Sequence, residues 1–145
     1  MKRHPAFTPL SRDHHRTLIL AQSIKKGAPQ FRGMATTVEG KRKEILSHFE
    51  DHLKDHFIKE ERIFSECKNV SPEVDELIAE IIAEHRRVEE LIGDLNEGKE
   101  IINTLDTLGV ILEKHIRKEE RELFELLQEK LSEKILNHIA ADFAK

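Results

Sequence analysis

Apolar residues recur along this chain in steps of three and four, the spacing that lays side chains on one face of an α-helix. Phe7, Leu10, Leu18, Ala21 and Ile24 mark a first stripe, and Ile45, Phe49, Leu53, Ile63, Phe64 and Cys67 a second. Leu77, Ile78, Ile81, Ile82, Val88, Leu91, Ile92 and Leu95 mark a third; Leu105, Leu108, Ile111, Leu112, Leu123, Phe124 and Leu127 a fourth. Turn residues separate them. Thr8-Pro9 opens the first helix with Thr8 as N-cap, and Gly27-Ala28-Pro29 ends it. The second helix is expected from about Ala35 to Cys67, so long that it must overhang or bend, with Gly40 as the weak point. Ser71-Pro72 starts the third, which ends near Leu95, and Asn96-Glu97-Gly98-Lys99 turns into a fourth from about Ile101 to Leu131. Ser132 caps a short helix ending near Phe143. No segment alternates as a half-buried strand does. Helices joined by short turns predict an all-α fold: an up-down-up-down four-helix bundle with a short C-terminal extra helix.

Composition agrees and narrows the function. The 145 residues are 38% hydrophobic and 36% charged, one domain's worth spanning 1–145. Net charge is −4 with the signs interspersed, so no nucleic-acid partner is expected. No stretch approaches the ~18 apolar residues of a membrane span, and Met1 to Leu10 holds no long apolar signal segment. The single cysteine, Cys67, excludes an internal disulfide framework, and a cytoplasmic protein is expected. Tyr and Trp are absent, which excludes a tyrosyl radical or a tryptophan stacking platform. The outlying number is nine His.

Several of these His fall where a core stripe should be apolar. The second stripe reads Ile45, Phe49, His52, His56, Glu60, Ile63, Cys67; the fourth reads Leu108, Ile111, His115, Glu119, then Leu123 or Glu122. The third gives Ile78, Ile82, His85, then Glu89 or Val88; the first gives Leu10, His14, Leu18. His56-Phe57-Ile58-Lys59-Glu60-Glu61-Arg62 is echoed by His115-Ile116-Arg117-Lys118-Glu119-Glu120-Arg121, as a duplicated helical hairpin would leave it. Burying these groups unpaired costs several kcal/mol each. A lone inward His is more often a hydrogen-bonded core residue than a ligand, but the same pattern on four helices points to a metal cluster. Imidazole and carboxylate one helical turn apart satisfy a cation together. The ligands are too many for one tetrahedral zinc, and imidazole with bridging carboxylates suits a pair of irons. The Glu-x-x-His order of ferritin-like di-iron bundles is absent, because no His has an acidic residue three positions before it.

This ordered set, a His on the first helix, His56-x-x-x-Glu60, His85 and His115-x-x-x-Glu119, resembles the hemerythrin-like family, the HHE cation-binding domain, over nearly the whole chain. The resemblance implies a four-helix bundle around a non-haem iron centre of two ions, oxo- or hydroxo-bridged. Members bind O2 reversibly, sense O2, NO or iron, handle peroxide, or support iron–sulfur cluster repair. His56 and His115 would be terminal ligands, Glu60 and Glu119 bridges, His85 a ligand from the third helix, and His14 or His15 one from the first. His14 sits at the centre of the apolar stripe and is favoured; His15 is rotated about 100° from it. Oxygen carriers of the family have two His four apart on the third helix, where this chain has His85 and Glu89, and His-x-x-x-x-Asp on the fourth, where it has Glu119 and Glu120. Both departures argue against a carrier. The function expected is binding or sensing of O2 or NO, or iron handling, with an oxidoreductase acting on peroxide, O2 or NO as the alternative; a sensor would need a separate protein partner.

Other residues have plainer expectations. His52 is inward without an assigned role, and either His52 or Glu89 would serve as a proton donor. Glu61 and Glu120, with Arg62 and Arg121, read as a solvated face or ion pairs. His4 and His138 read as surface residues, His48 as exposed or stacked near His52, and Cys67, Phe49, Phe57 and Phe64 as core. Without metal, Glu60 and Glu119 should raise one another's pKa.

Overall fold

The computed structural model describes residues 2–143, and every regular element among them is helical. Helix α1 spans Thr8–Ser23. Helix α2 (Val38–His48) runs through a π-helical turn, Phe49–Leu53, into α3 (Lys54–Glu66), making one long rod. Helix α4 spans Pro72–Glu97. Helix α5 (Ile101–Lys118) continues through a second π-helical turn, Glu119–Leu123, into α6 (Phe124–Lys130). Helix α7, Glu133–Phe143, closes the described chain. None of these helices is long and apolar enough to cross a membrane.

Local chemistry sets most of the ends. Ser71 accepts the Val74 N–H at 3.1 Å with Pro72 in the first turn, as the sequence predicts. Ser132 does the same for Ile135 at 3.2 Å, and Gly98 ends α4 in the left-handed region at φ 76°. Thr8 does not cap α1. Its hydroxyl donates to the His4 carbonyl at 3.1 Å, and Phe7 holds the capping position without a side-chain bond. The break in the long rod is not at Gly40, which lies in the first turn of α2 and donates its N–H to Thr37 Oγ1 at 3.0 Å. It is the π turn, whose extra residue per turn rotates everything after it. Leu53 therefore takes the inward place, and His52, expected inward, is exposed.

The rods pack pairwise: α1 on α5 and on α2 and α3, α4 on α5 and on α2 and α3. Two apolar clusters result. Leu10, Ile63, Phe64, Ile78, Ile81, Leu123 and Phe124 belong to one; Leu20, Leu53, Phe57, Val88, Leu91, Leu108 and Leu112 belong to the other. On each of the four rods the inward His lies between residues of the two clusters. The α1–α5 approach is close at Gly109, where a Cβ would sit 2.5 Å from the Ala21 carbonyl oxygen and 2.6 Å from Lys25 Cγ. Helices α1 and α2 are also tied by a buried hydrogen bond, His48 Nε2 to Thr17 Oγ1 at 2.8 Å.

Gly109→Ala should destabilise the fold by about 1–3 kcal/mol in denaturant melts, because overpacking against backbone outweighs the helix propensity that Ala adds. His48 supplies a pH test. Burial, and then the positive His52 and Arg16 against the opposing Asp13, push its pKa down to about 4. The unfolded chain binds a proton below about 6.5 that the folded chain refuses. Stability of the metal-free protein should therefore fall as pH drops from about 6.5 to about 4, by up to ~3 kcal/mol, and His48→Asn should flatten that slope.

Candidate metal centre

Where the two apolar clusters meet, four rods each turn an imidazole inward. His14 on α1, His56 on α3, His85 on α4 and His115 on α5 are all 3% exposed or less, and Glu60 and Glu119 are fully buried among them. Each carboxylate sits one turn after a His of its own rod, which brings His56 Nε2 to 3.3 Å from Glu60 Oε2 and His115 Nε2 to 2.5 Å from Glu119 Oε1. His85 Nε2 lies 3.1 Å from Glu60 Oε1, and His14 Nε2 lies 3.6 Å from Glu60 Oε2 and 3.7 Å from Glu119 Oε1. All four Nε2 atoms thus converge on the same two carboxylates. Atoms within 4.8 Å of one another form two groups that share Glu60: His14, His56 and Glu60, and Glu60, His85, His115 and Glu119.

The far nitrogen of every imidazole is held by an outer carboxylate. His14 Nδ1 meets Glu120 at 3.2 Å, His56 Nδ1 meets Asp13 at 3.0 Å, His85 Nδ1 meets Glu61 at 2.9 Å, and His115 Nδ1 meets Glu84 at 2.8 Å. A carboxylate accepts, so each Nδ1 donates its proton outward and each Nε2 turns a lone pair toward the centre. Three of the outer carboxylates are anchored in turn. Arg86 contacts Glu61, Arg3 lies 3.1 Å from Glu120, and Lys118 lies 2.6 Å from Glu84. Phe57 stacks on His85 with ring centroids 3.9 Å apart, and Phe124 stacks on His14 at 5.7 Å. These rings wall the centre with apolar surface.

The electrostatics describe a site that awaits positive charge. Burial opposes the imidazolium, yet the surrounding carboxylates outweigh it, so His14 is pushed up to about 9 and His56 and His115 to about 10. Glu60 and Glu119 were expected to rise together, and they part instead. Burial pushes both up, but the His56 charge, with Glu119 and His14 close by, holds Glu60 well below the usual carboxylate range. Glu119 is raised by burial and by the neighbouring Glu60. Hydrogen bonding still fails for several atoms: Glu60 Oε2, His115 Nε2 and both Glu119 oxygens are buried without a partner. An unmade bond on such an atom costs ~1–3 kcal/mol or more. Imidazole lone pairs and carboxylate oxygens aimed at one point are donors for a cation, so the residues present fit a metal.

The sequence matches the family described as Hemerythrin HHE cation binding domain over residues 7–127. The chain belongs to that family. Comparison with curated proteins and with solved structures finds no significant match. Of the residues singled out beforehand, this hemerythrin-like centre brings together His14, His56, Glu60, His85, His115 and Glu119. His15 is exposed and lines a surface cleft instead. Glu89 stands off the centre, paired with Arg86 at 3.3 Å, because Val88 takes the buried position on α4. His4 is not a free surface residue: its Nδ1 accepts the Ala6 N–H at 3.0 Å, and its Nε2 lies 2.9 Å from Glu133. Asp13 and Glu84 went unremarked in the sequence, and Glu61 and Glu120 were read as a solvated face or ion pairs; they do pair with Arg86 and Arg3, but they also hold imidazoles. The signal was present: Asp13-His14 and Glu84-His85 are the same acidic-His pair on α1 and α4, matching Glu60-Glu61 and Glu119-Glu120 on the partner rods.

Asp13→Asn and Glu84→Gln should each weaken metal binding by about 10- to 100-fold in competition with a chelator, since an amide no longer fixes the imidazole tautomer. Glu113→Gln, whose partners are Lys25 and Arg117, should leave metal affinity unchanged.

Proposed function

We propose that the chain holds two iron ions, with Glu60 and Glu119 bridging them, His14 and His56 serving one and His85 and His115 the other. The observation that carries this reading is a set of buried atoms, Glu60 Oε2, His115 Nε2 and both Glu119 oxygens, that crowd together yet make no hydrogen bond. The two ligand groups that share Glu60 support two ions rather than one. His14 is the helix α1 ligand in this reading, and His15 is not one. The up-down-up-down course of the four rods is supported by the order in which they meet the apolar clusters. Leu10 precedes His14 and Leu20 follows it; on the second rod Leu53, in the π turn, precedes His56 and Ile63 follows Glu60, so the order reverses, and it reverses again on α4 and on α5.

Two irons so held supply binding of, and electron exchange with, O2, NO or peroxide. The chain's own residues limit what reaches them. Phe57 and Phe124 close two sides, and the inward His are almost wholly buried, so the centre suits a diatomic or similarly small ligand. We read the protein as a binder or sensor of O2 or NO, or an iron-handling protein, whose output passes to another protein. A single buried cysteine, Cys67, suits the reducing cytoplasm. The described part of the family match, residues 7–127, leaves α7 as an addition packed through Leu136 and Ile139 on the cluster that includes Ala6 and Phe7.

Protein grown with iron should carry about two ions per chain by elemental analysis and show an optical spectrum that changes with O2, NO or H2O2. Glu60→Ala and Glu119→Ala should each abolish that stoichiometry. Absence of metal in the intact protein would overturn the reading, and sustained turnover of peroxide would make it an oxidoreductase. Chelation to the metal-free form should lower the melting temperature by roughly 5–10 °C, by mass action on a ligand that binds only the folded chain.

A further inference from the structure

Beside the metal centre, α1, the segment 24–37 and α2 enclose a cleft of about 750 Å³, within the roughly 300–1,000 Å³ of small-molecule sites. Its floor is apolar, built by Ile19, Leu20 and Met34. Its rim carries Arg16, Arg32 and Lys43, whose side chains make no ion pair or hydrogen bond with the described residues. Arg3, Arg86 and Lys118, which lie behind the outer carboxylates of the centre, are by contrast paired. The rim also carries two carboxylates, each accepting a hydrogen bond from a neutral neighbour, so basic groups outnumber acidic ones there. Glu44 accepts the Ala35 N–H at 3.1 Å, and Asp51 accepts the Ser47 hydroxyl at 3.2 Å.

His48 stands in the wall beside the rim. His48 is 7% exposed, and its Nδ1 is buried without a partner. The Thr17 hydroxyl donates to the Asp13 carbonyl at 3.2 Å, so it accepts from His48 Nε2–H, and His48 Nδ1 is left as an unused acceptor. A neighbouring cavity of about 240 Å³ shares Arg16, His48 and His52 with the cleft and is lined also by Arg12, Asp13 and His56.

We propose that this cleft binds a small organic anion, its acidic group held by Arg16, Arg32 and Lys43 and its apolar stem laid on Ile19, Leu20 and Met34. Cations without partners on a chain of net charge −4 are the attracting element, and the apolar floor selects a stem over a bare inorganic ion. The cavity that shares Arg16, His48 and His52 with the cleft is lined by Asp13 and His56, so the occupant would sit close to the metal centre. The inference stands apart from the number or identity of the metal ions.

Calorimetric titration of the metal-loaded protein with hexanoate, hexyl phosphate, inorganic phosphate and hexylammonium tests it. Hexanoate or hexyl phosphate should bind saturably at one site per chain, with inorganic phosphate at least tenfold weaker and hexylammonium not bound. Arg16→Gln, Arg32→Gln and Lys43→Gln should each weaken binding by about tenfold, as loss of one charged hydrogen bond does, while metal content and helicity stay the same. Lys134→Gln, on α7, should change nothing. No saturable heat with either hexyl anion overturns the proposal, as does equal binding of hexylammonium or of inorganic phosphate. So does unchanged affinity in all three cleft variants.

Discussion

A helix bundle of this size gains its stability by burying apolar side chains, and here its middle is given to two carboxylates and four imidazoles. Removing such groups from water costs several kcal/mol each unless something answers their charge. Nearly every feature of the inner structure can be traced to that demand. The four Nδ1–carboxylate bonds fix the imidazoles in the tautomer whose lone pairs face inward. The basic residues outside those carboxylates, Arg3, Arg86 and Lys118, keep the outer layer from adding uncompensated negative charge. Two separate apolar clusters, one on each side, then carry the packing that the polar layer gives up.

The arrangement has the logic of a duplicated hairpin. In each half an acidic-His pair on one rod faces a His-x-x-x-Glu-Glu on the next. Asp13 holds His56 and Glu84 holds His115, so the outer bond is made within a half. Glu61 holds His85 and Glu120 holds His14, so the second bond is made between halves. Neither half completes its own imidazoles. The exchange makes the centre a property of the whole bundle, which is why its assembly and its metal affinity should be coupled.

The element order, most caps and the inward His-x-x-x-Glu turns were legible because each follows from short spacing on a regular helix. Ser71-Pro72, Ser132 and Gly98 carry their meaning locally, and His56 with Glu60 needs only 3.6 residues per turn. The reading failed where regularity fails. The π turn at Phe49–Leu53 has no composition signature, and one added residue moved His52 from the expected inner face to the surface and put Leu53 in its place. It failed again where a role depends on another rod. Glu61 and Glu120 look like solvated charge on their own helices, and only the packing of α3 on α4 and of the Glu119–Leu123 turn near α1 shows what they hold. Thr8 was a plausible cap, but its hydroxyl turns back to the His4 carbonyl four residues before it.

The protonation pattern shows why protein alone cannot finish the centre. Protons settle on His14, His56 and His115, and Glu60 and Glu119 divide into a strongly acidic and a weakly acidic partner. A proton is a poor answer to this geometry, because it satisfies one lone pair at a time. With His115 Nε2 as close as 2.5 Å to Glu119, both Glu119 oxygens and Glu60 Oε2 still make no hydrogen bond. A cation accepts several lone pairs at once and returns the imidazoles to their neutral form. The outer carboxylates are suited to that second state as well as the first, since Nδ1–H donation persists when Nε2 changes from proton carrier to ligand. The shell is therefore built for the exchange of protons for metal without rearrangement of the rods, and the cost of the polar layer is recovered only when that exchange takes place.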